Sequence, residues 1–338
     1  MAGKIRYGVM GAGLIGSYLG GLLAAAGRDV TFVGRGQVRG GIAKAGLRLT
    51  DYKGAEHRPQ DFLYVTDATV LSHCNVVLVT VKTQASAEVA RELSPILKSD
   101  TLVISFQNGL GNDCVLREHL SGQDVLPGMV PFNVTSPGPG HFHQGTEGNL
   151  YVRAVSDHRL IDMKTAFESV GMDVDLRDPL IGVQWGKLLL NLNNSLNTLH
   201  GDTLRTGLIQ KSYRRVLARL IEEGLAALAA AGIRPESPTK LSPDKLPAIL
   251  RLPTPAYKLL MDKLLKIDPT ARSSMLEDLE LGRTSENAFI QGEIIDLGRR
   301  VGASVETNRR VAEAVEHAFA AGKSPRLSGD EMVRRFLA

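Results

Sequence analysis

Two groups of residues in this sequence have the types and spacing to do chemistry. The first is Gly11-Ala12-Gly13-Leu14-Ile15-Gly16, a GxGxxG turn. Gly11 suits a tight turn, Gly13 leaves the backbone bare for a pyrophosphate, and Gly16 lets the following helix pack on the preceding strand. The phosphates of a dinucleotide would then sit on the free N–H groups of the helix start. Farther on, the sequence reads Phe32-Val33-Gly34-Arg35-Gly36, with no acid. An Asp or Glu there would accept bonds from a ribose 2′-hydroxyl, whereas a forked guanidinium suits a 2′-phosphate, so Arg35 points to NADP(H). Lys82 directly follows the apolar run Val76–Val81, where ligand-facing loops of a parallel sheet lie, and is a further candidate on the cofactor side.

The second group interrupts a leucine-rich helical stretch, Trp185-Gly186-Lys187-Leu188-Leu189-Leu190-Asn191-Leu192-Asn193-Asn194-Ser195. At ~100° per residue, Lys187, Asn191, Asn194 and Ser195 fall within about a quarter turn, and Thr198 joins them. Asn is a poor helix former that needs partners when enclosed. The stripe therefore lines a cleft or is a capped, internally bonded helix face. A lysine among apolar side chains has its charged form disfavoured, which helps it give a proton to a developing alkoxide, so Lys187 is a candidate general acid. Ser273 or Ser274 could cap the next helix or offer a hydroxyl to a carboxylate. Ser285 and Glu286 read most simply as a cap and its dipole partner.

These residues need a scaffold, and the pattern around them supplies one. Short apolar runs at Ile5–Met10, Asp29–Val33, Val76–Val81, Thr101–Phe106, Val125–Val130 and Asp173–Leu176 alternate with helical stretches at Leu14–Ala26, Ala85–Leu97, Asp113–Leu120 and Arg159–Val170. That alternation predicts a doubly wound α/β domain with a parallel sheet. Ser136-Pro137-Gly138-Pro139-Gly140 reads as a turn before a hairpin made of His141–His143 and Leu150–Arg153. Past Arg177-Asp178-Pro179 the periodicity turns helical almost throughout, with helices expected at Ile181–Leu199, Thr206–Ala231, Ala256–Leu265, Ser285–Val301 and Asn308–Ala321. The Pro-studded stretch Arg234–Pro255 reads as a surface connection with one short helix. A Rossmann domain over 1–178 and an all-α domain over 179–338, serving substrate binding or dimerisation, follow.

Composition excludes several classes. The 338 residues carry 40 Lys and Arg against 36 Asp and Glu, a net charge of +4 spread without a basic run, which argues against a nucleic-acid partner and suits a small anion. The two cysteines, Cys74 and Cys114, are too few for a disulfide framework. The N-terminal apolar stretch is too short for a secretory leader, and no run reaches the ~20 apolar residues of a membrane span, so a cytoplasmic protein is expected. His141 and His143 flank Phe142 without a third ligand at metal spacing, so they read as exposed strand histidines and no metal is expected.

The glycine turn with Arg35, Val81-Lys82-Thr83, Gln107-Asn108-Gly109-Leu110-Gly111, Lys187-Leu188-Leu189-Leu190-Asn191, and Ser273-Ser274-Met275 with Glu286 twelve residues past Ser274 together resemble the ketopantoate reductase family. The resemblance runs from Lys4 to His317. It implies NADPH-dependent reduction of 2-dehydropantoate to pantoate, a step toward pantothenate and coenzyme A. Carried over, the catalytic lysine falls on Lys187 and the active-site glutamate on Glu286. Asn108 joins Gly11, Ala12, Gly13, Leu14, Ile15, Gly16, Arg35 and Lys82 toward the cofactor. Asn108, Asn191 and Ser274 go to the substrate, Ser274 to its carboxylate. The family's next asparagine along the helix is Ser195 here, with Asn194 beside it, and another that precedes the Ser-Ser-Met motif is Ala271. Both departures touch substrate positions, which keeps a different 2-oxo acid open as an alternative. A non-catalytic NADP(H)-binding regulatory protein and a dehydrogenase of amino-acid adducts or 3-hydroxy acids are the other competing readings. A homodimer through the helical domain is the expected assembly.

Overall fold

The computed structural model describes residues 4–238, 241–264 and 271–338, and the chain divides into two compact units, one up to Leu180 and one from Ile181. Met1 to Gly3 and Leu265, the last residue of one expected helix, lie outside the described residues. In the first unit the elements run β1 (Arg6–Met10), α1 (Leu14–Ala25), β2 (Asp29–Val33), α2 (Gly36–Ala45), β3 (Arg48–Asp51), β4 (Glu56–His57), β5 (Leu63–Val65), β6 (Val76–Val79), α3 (Ser86–Leu93), β7 (Leu102–Ser105), α4 (Asn112–His119), β8 (Asp124–Met129), β9 (Val134–Gly138), β10 (His141–Gln144), β11 (Leu150–Arg153), α5 (His158–Ser169) and β12 (Val174–Arg177).

The main sheet has the order β12-β11-β8-β7-β6-β1-β2-β5, parallel throughout except where β11 meets β8. Strands β6 and β7 are buried at every position, because successive residues feed two different cores. Val76, Leu78, Leu102 and Ile104 pack with α1 and α5 on one face, while Val77, Val79 and Val103 pack with α3 and α4 on the other. Covering both faces is what turns a strand into an uninterrupted apolar run, and this is the doubly wound sheet that the sequence predicts. The chain leaves β1 for β2 on one side and later returns to β6 on the other, so the order reverses at the end of β1, where the glycine turn lies.

The expected hairpin is different from the one found. Ser136 to Gly138 belong to β9, which pairs antiparallel with β10 across a turn at Pro139-Gly140. Leu150–Arg153 leaves that ribbon and joins the main sheet between β8 and β12. Strand β10 also pairs in parallel with β3, which completes a small sheet β4-β3-β10-β9 over α1. Thr50 on β3 offers one hydroxyl to both His141 Nε2 and His143 Nδ1, each at 2.8 Å, so the two histidines are half-buried and bonded, not exposed.

The second unit is helical: α6 (Ile181–His200), α7 (Leu204–Ile209), α8 (Lys211–Ala230), α9 (Leu246–Leu250), α10 (Thr254–Leu264), α11 (Ser274–Glu280), α12 (Gln291–Val301), α13 (Glu306–Ala320) and α14 (Gly329–Phe336). The helix expected over Thr206–Ala231 is broken at Gln210 because fully buried Arg214 takes the carbonyls of Leu208 and Ile209, each at 2.9 Å, and those of Leu250 and Leu252 as well. The helix expected from Ser285 begins only at Gln291, after a 3₁₀ turn at Asn287–Phe289. The Glu223 carboxylate on α8 accepts the N–H groups of Thr307 and Asn308 and so caps α13 from outside. No described helix is long and apolar enough to cross a membrane.

Candidate active site

The glycine turn is pinned from below and open above. The N–H groups of Gly11 and Ala12 donate to Val33 O, and the hydroxyls of Ser17 and Tyr64 both donate to Ala12 O. Gly11 has φ +95°, which other residues adopt at a cost, and a Cβ on Gly16 would lie 2.4 Å from Thr80 Oγ1 and 2.6 Å from Gly11 O. Gly13 is different. A Cβ there would meet nothing nearer than Gly11 O at 3.9 Å, so packing within the protein does not demand a glycine. Gly13 and Leu14 are exposed, and no side chain caps the first turn of α1. This cradle fits a pyrophosphate: the bare face of Gly13 admits it, and the helix start supplies N–H donors.

Arg35 is exposed at the start of α2, whose first turn carries no acid and no side-chain cap. Arg39, which sequence reasoning missed, stands one turn later, also exposed; its signal was the spacing of four from Arg35 on a helix too glycine-rich to be read as one. Lys82 is half-buried just past β6. Asn108 presents an exposed side chain from a loop held by a chain of buried hydrogen bonds. Ser105 donates to Gln107 (3.0 Å), Gln107 to Ser86 (2.7 Å), Ser86 to Asn112 (2.8 Å), and Asn112 to the Asn108 carbonyl (2.7 Å), which the Thr83 hydroxyl also reaches at 2.6 Å. The inner members of that chain, Gln107, Ser86 and Asn112, each accept one bond and donate the next, so the loop geometry is fixed from β7, α3 and α4 together.

In the helical unit the stripe on α6 changes depth along its length. Lys187, Asn191 and Asn194 are half-buried, whereas Ser195 and Thr198 are fully buried. The Thr198 hydroxyl bonds back to Asn194 O, and the Ser195 hydroxyl donates to Gln291 Oε1 on α12 at 2.5 Å and lies 3.7 Å from Met275 Sδ. Ser195 is thus committed to packing between helices, and the amides that reach the surface are Asn191 and Asn194. Burial lowers the Lys187 ammonium from its ordinary 10.5 to about 8, and the charge of Glu286 acts against that fall. Glu286, only 8% exposed, is therefore brought near Lys187 by the fold rather than serving as a solvated helix-start charge.

Of the two serines, the structure assigns the cap to one and leaves the other at the surface. Ser273 is the cap, its Oγ accepting the Leu276 N–H at 3.2 Å, while Ser274 is exposed at the first turn of α11. The Ser285 hydroxyl accepts the Asn287 N–H at 3.0 Å. Two buried amides went unnoticed in the sequence. Asn197 binds the backbone of Ser273 and Asp202, and Gln291 holds Ser195. Asn197 falls outside the polar stripe and Gln291 lies on a different helix, so no periodicity marks either. Among the described residues no group of three or more His, Cys, Asp or Glu could hold a metal ion.

Comparison with known proteins places the chain in a family along most of its length. Residues 7–157 match the family described as ketopantoate reductase PanE/ApbA, and residues 180–318 match its C-terminal domain. The chain is 27% identical over 319 residues to a 2-dehydropantoate 2-reductase of Archaeoglobus fulgidus, covering 92% of this chain and 96% of that one. A crystal structure of a PanE/ApbA family ketopantoate reductase from Ralstonia eutropha JMP134 shares its fold with a TM-score of 0.79 at 26% identity, over 94% of this chain and 99% of that one. The fold alone is shared with D-mandelate dehydrogenase, solved with NADH and anilino(oxo)acetate, at a TM-score of 0.75 and 16% identity over 94% and 99% of the two chains. The matched regions take in the glycine cradle, Lys187 and Glu286, and they carry with them a nicotinamide cofactor and oxidoreductase chemistry at a CH–OH group. The chain belongs to the ketopantoate reductase PanE/ApbA family.

Proposed function

We propose that this chain reduces 2-dehydropantoate to pantoate with NADPH, the reaction that leads toward pantothenate and coenzyme A. The observation that carries the reading is the placement of Lys187 on α6 with Asn191 and Asn194 along the same face and the Glu286 charge acting on its ammonium, which burial lowers to about 8. Relatives along nearly the whole chain are named for this reaction. The bound nicotinamide would supply the hydride for the C2 carbonyl carbon. Lys187 donates a hydrogen bond to the carbonyl oxygen and passes its proton as the alkoxide forms, which is easier for an ammonium near 8 than for one near 10.5. Glu286 keeps Lys187 charged at neutral pH and orients it. Ser274 holds the substrate carboxylate, and Asn191 and Asn194 hold the remaining polar groups, a division supported by their exposure and by the burial of Ser195. On the cofactor side Gly11 to Gly16 take the pyrophosphate, Arg35 with Arg39 takes the 2′-phosphate, and Lys82 and Asn108 face the rest.

The buried Ser195 favours one second reading, reduction of a 2-oxo acid other than 2-dehydropantoate, because an amide that would recognise a hydroxyl is absent from that position. NADPH oxidation against a panel of 2-oxo acids with and without a 4-hydroxyl separates the two. A kcat/KM highest for 2-dehydropantoate supports the first reading, a higher value for an acid without the 4-hydroxyl supports the second, and no turnover of any member removes both. Assembly as a homodimer through the helical unit is checked by light scattering.

A further inference from the structure

Asn197 sits on α6 but outside its polar stripe, and it is fully buried. Its side chain is committed entirely to backbone: Oδ1 accepts the Ser273 N–H at 3.0 Å, and Nδ2 donates to Asp202 O at 2.9 Å. The two partners belong to separate segments, Asp202 to the turn that leaves α6 and Ser273 to the start of α11. A second tie runs alongside, from Leu204 N–H to Ala271 O at 2.8 Å, and the Ser273 hydroxyl reaches Asn194 O at 3.4 Å. The Asn197 amide, together with these two bonds, ties the start of α11 to the helix that carries Lys187, Asn191 and Asn194, and the residue next to the tied one is exposed Ser274.

A leucine at position 197 would fill the core and suit the helix better than asparagine, whose burial costs stability unless every polar atom is matched. Matched buried polar groups of this kind fix the register of one element on another. We propose that Asn197 is a positioning residue for substrate binding: by anchoring the Ser273 backbone to α6, it sets where the Ser274 hydroxyl stands relative to Lys187, Asn191 and Asn194. The proposal rests on the reading above in which Ser274 holds the substrate carboxylate, and it extends the substrate machinery to a residue that touches no substrate.

The test is a double-variant cycle read in steady-state kinetics with the full-length protein. Ser274→Ala is expected to raise KM for the 2-oxo acid roughly tenfold, the loss of one hydrogen bond to a charged group. Asn197→Leu is expected to raise KM by a similar factor with kcat changed less than about threefold and NADPH affinity unchanged, and in the Ser274→Ala background it should alter KM less than about twofold. Asn197→Ser, too short to span to Ser273 yet gentler on the core, gives the same pattern if Asn197→Leu fails to fold. Equal factors in both backgrounds, or an unchanged KM in the Asn197 variants while Ser274→Ala raises it, overturn the role of Asn197. An unchanged KM in Ser274→Ala itself removes the carboxylate assignment of Ser274 and this proposal with it, while leaving reductase activity intact.

Discussion

Replacing Glu286 by Gln should move the pH dependence of catalysis while keeping Lys187, the proton donor we propose. Burial takes the Lys187 ammonium from 10.5 to about 8, and that net value already includes the upward pull of the Glu286 charge. With Gln at 286 the pull is gone and burial acts alone. An opposite charge at close range typically holds a partner's pKa by about 1 to 3 units, so taking the lower end places Lys187 near about 7. The sign follows from its role. In reduction Lys187 must enter protonated, so kcat/KM falls as pH rises through its pKa; in oxidation the neutral amine accepts the proton, and the rate rises through the same value. The basic limb of kcat/KM for reduction is therefore expected near pH 8 in the parent and about one unit lower in Glu286→Gln, with Lys187→Met lacking the limb. At pH 7.5 the protonated fraction drops from roughly three quarters to roughly one quarter, so the titration alone costs about threefold. Any contact of Glu286 with substrate would lower the whole profile, but only the charge on Lys187 moves the limb. A limb that stays in place or shifts to higher pH in Glu286→Gln would refute the electrostatic link.

Arg35→Ala is expected to weaken NADPH binding about ten- to a hundredfold, the equivalent of about 1.5 to 3 kcal/mol, and to leave NADH nearly unchanged, with the contrast shrinking as salt screens the pair; fluorescence titration at two ionic strengths checks it. Gly13→Ala should keep the parent Tm yet lose at least about tenfold in NADPH affinity, because its Cβ meets no protein atom within 3.9 Å. Gly16→Ala should lower both Tm and affinity, since its Cβ falls 2.6 Å from the Gly11 carbonyl; equal melting behaviour of the two variants would contradict the cradle. Arg214→Met strands the carbonyls of Leu208, Ile209, Leu250 and Leu252 and should cost on the order of 3 to 5 kcal/mol in denaturant unfolding; a loss under about 1 kcal/mol would mean that water replaces the guanidinium.

The parts of the fold that can be read from sequence are those where local pattern and tertiary burial agree. Asp29–Val33 is a strand by composition and a strand in the sheet, and the helix opened by Gly13 follows the glycine turn in the order that a dinucleotide fold requires. The small sheet is hidden for the opposite reason. Arg48–Asp51 and Glu56–His57 are short and polar; the first finds its sheet partner 93 positions on in β10, where His141 faces Arg48, and the second pairs with the first, so nothing local distinguishes either from loop. Helix α2 holds Gly36, Gly40 and Gly41, which lowers its propensity below what a sequence pattern can signal. Arg214 splits a continuous helical period into α7 and α8 by claiming carbonyls that a longer helix would have used itself.

The active-site residues divide along the same line, because helical periodicity gives the direction of a side chain around an axis and says nothing of its depth along it. Lys187 and Thr198 share nearly one azimuth at ~100° per residue, yet the first is half-buried and the second fully enclosed, bonded to Asn194 O. Ser195 belongs to the stripe by angle and to the core by position, and Gln291, from a helix ninety-six residues away, takes its hydroxyl. Depth is set by which helices cross α6 and where, and that depends on contacts between segments far apart in sequence. Asn197 gives the reverse case. By angle it leaves the stripe, and by composition it is one more asparagine in a run of them, but its bond to the Ser273 backbone ties the start of α11 to the helix that carries Lys187. A residue type that a helix disfavours, held fully buried with both ends of its amide bonded to backbone, is what a register between α6 and α11 fixed by matched polar groups, and not by apolar packing alone, requires.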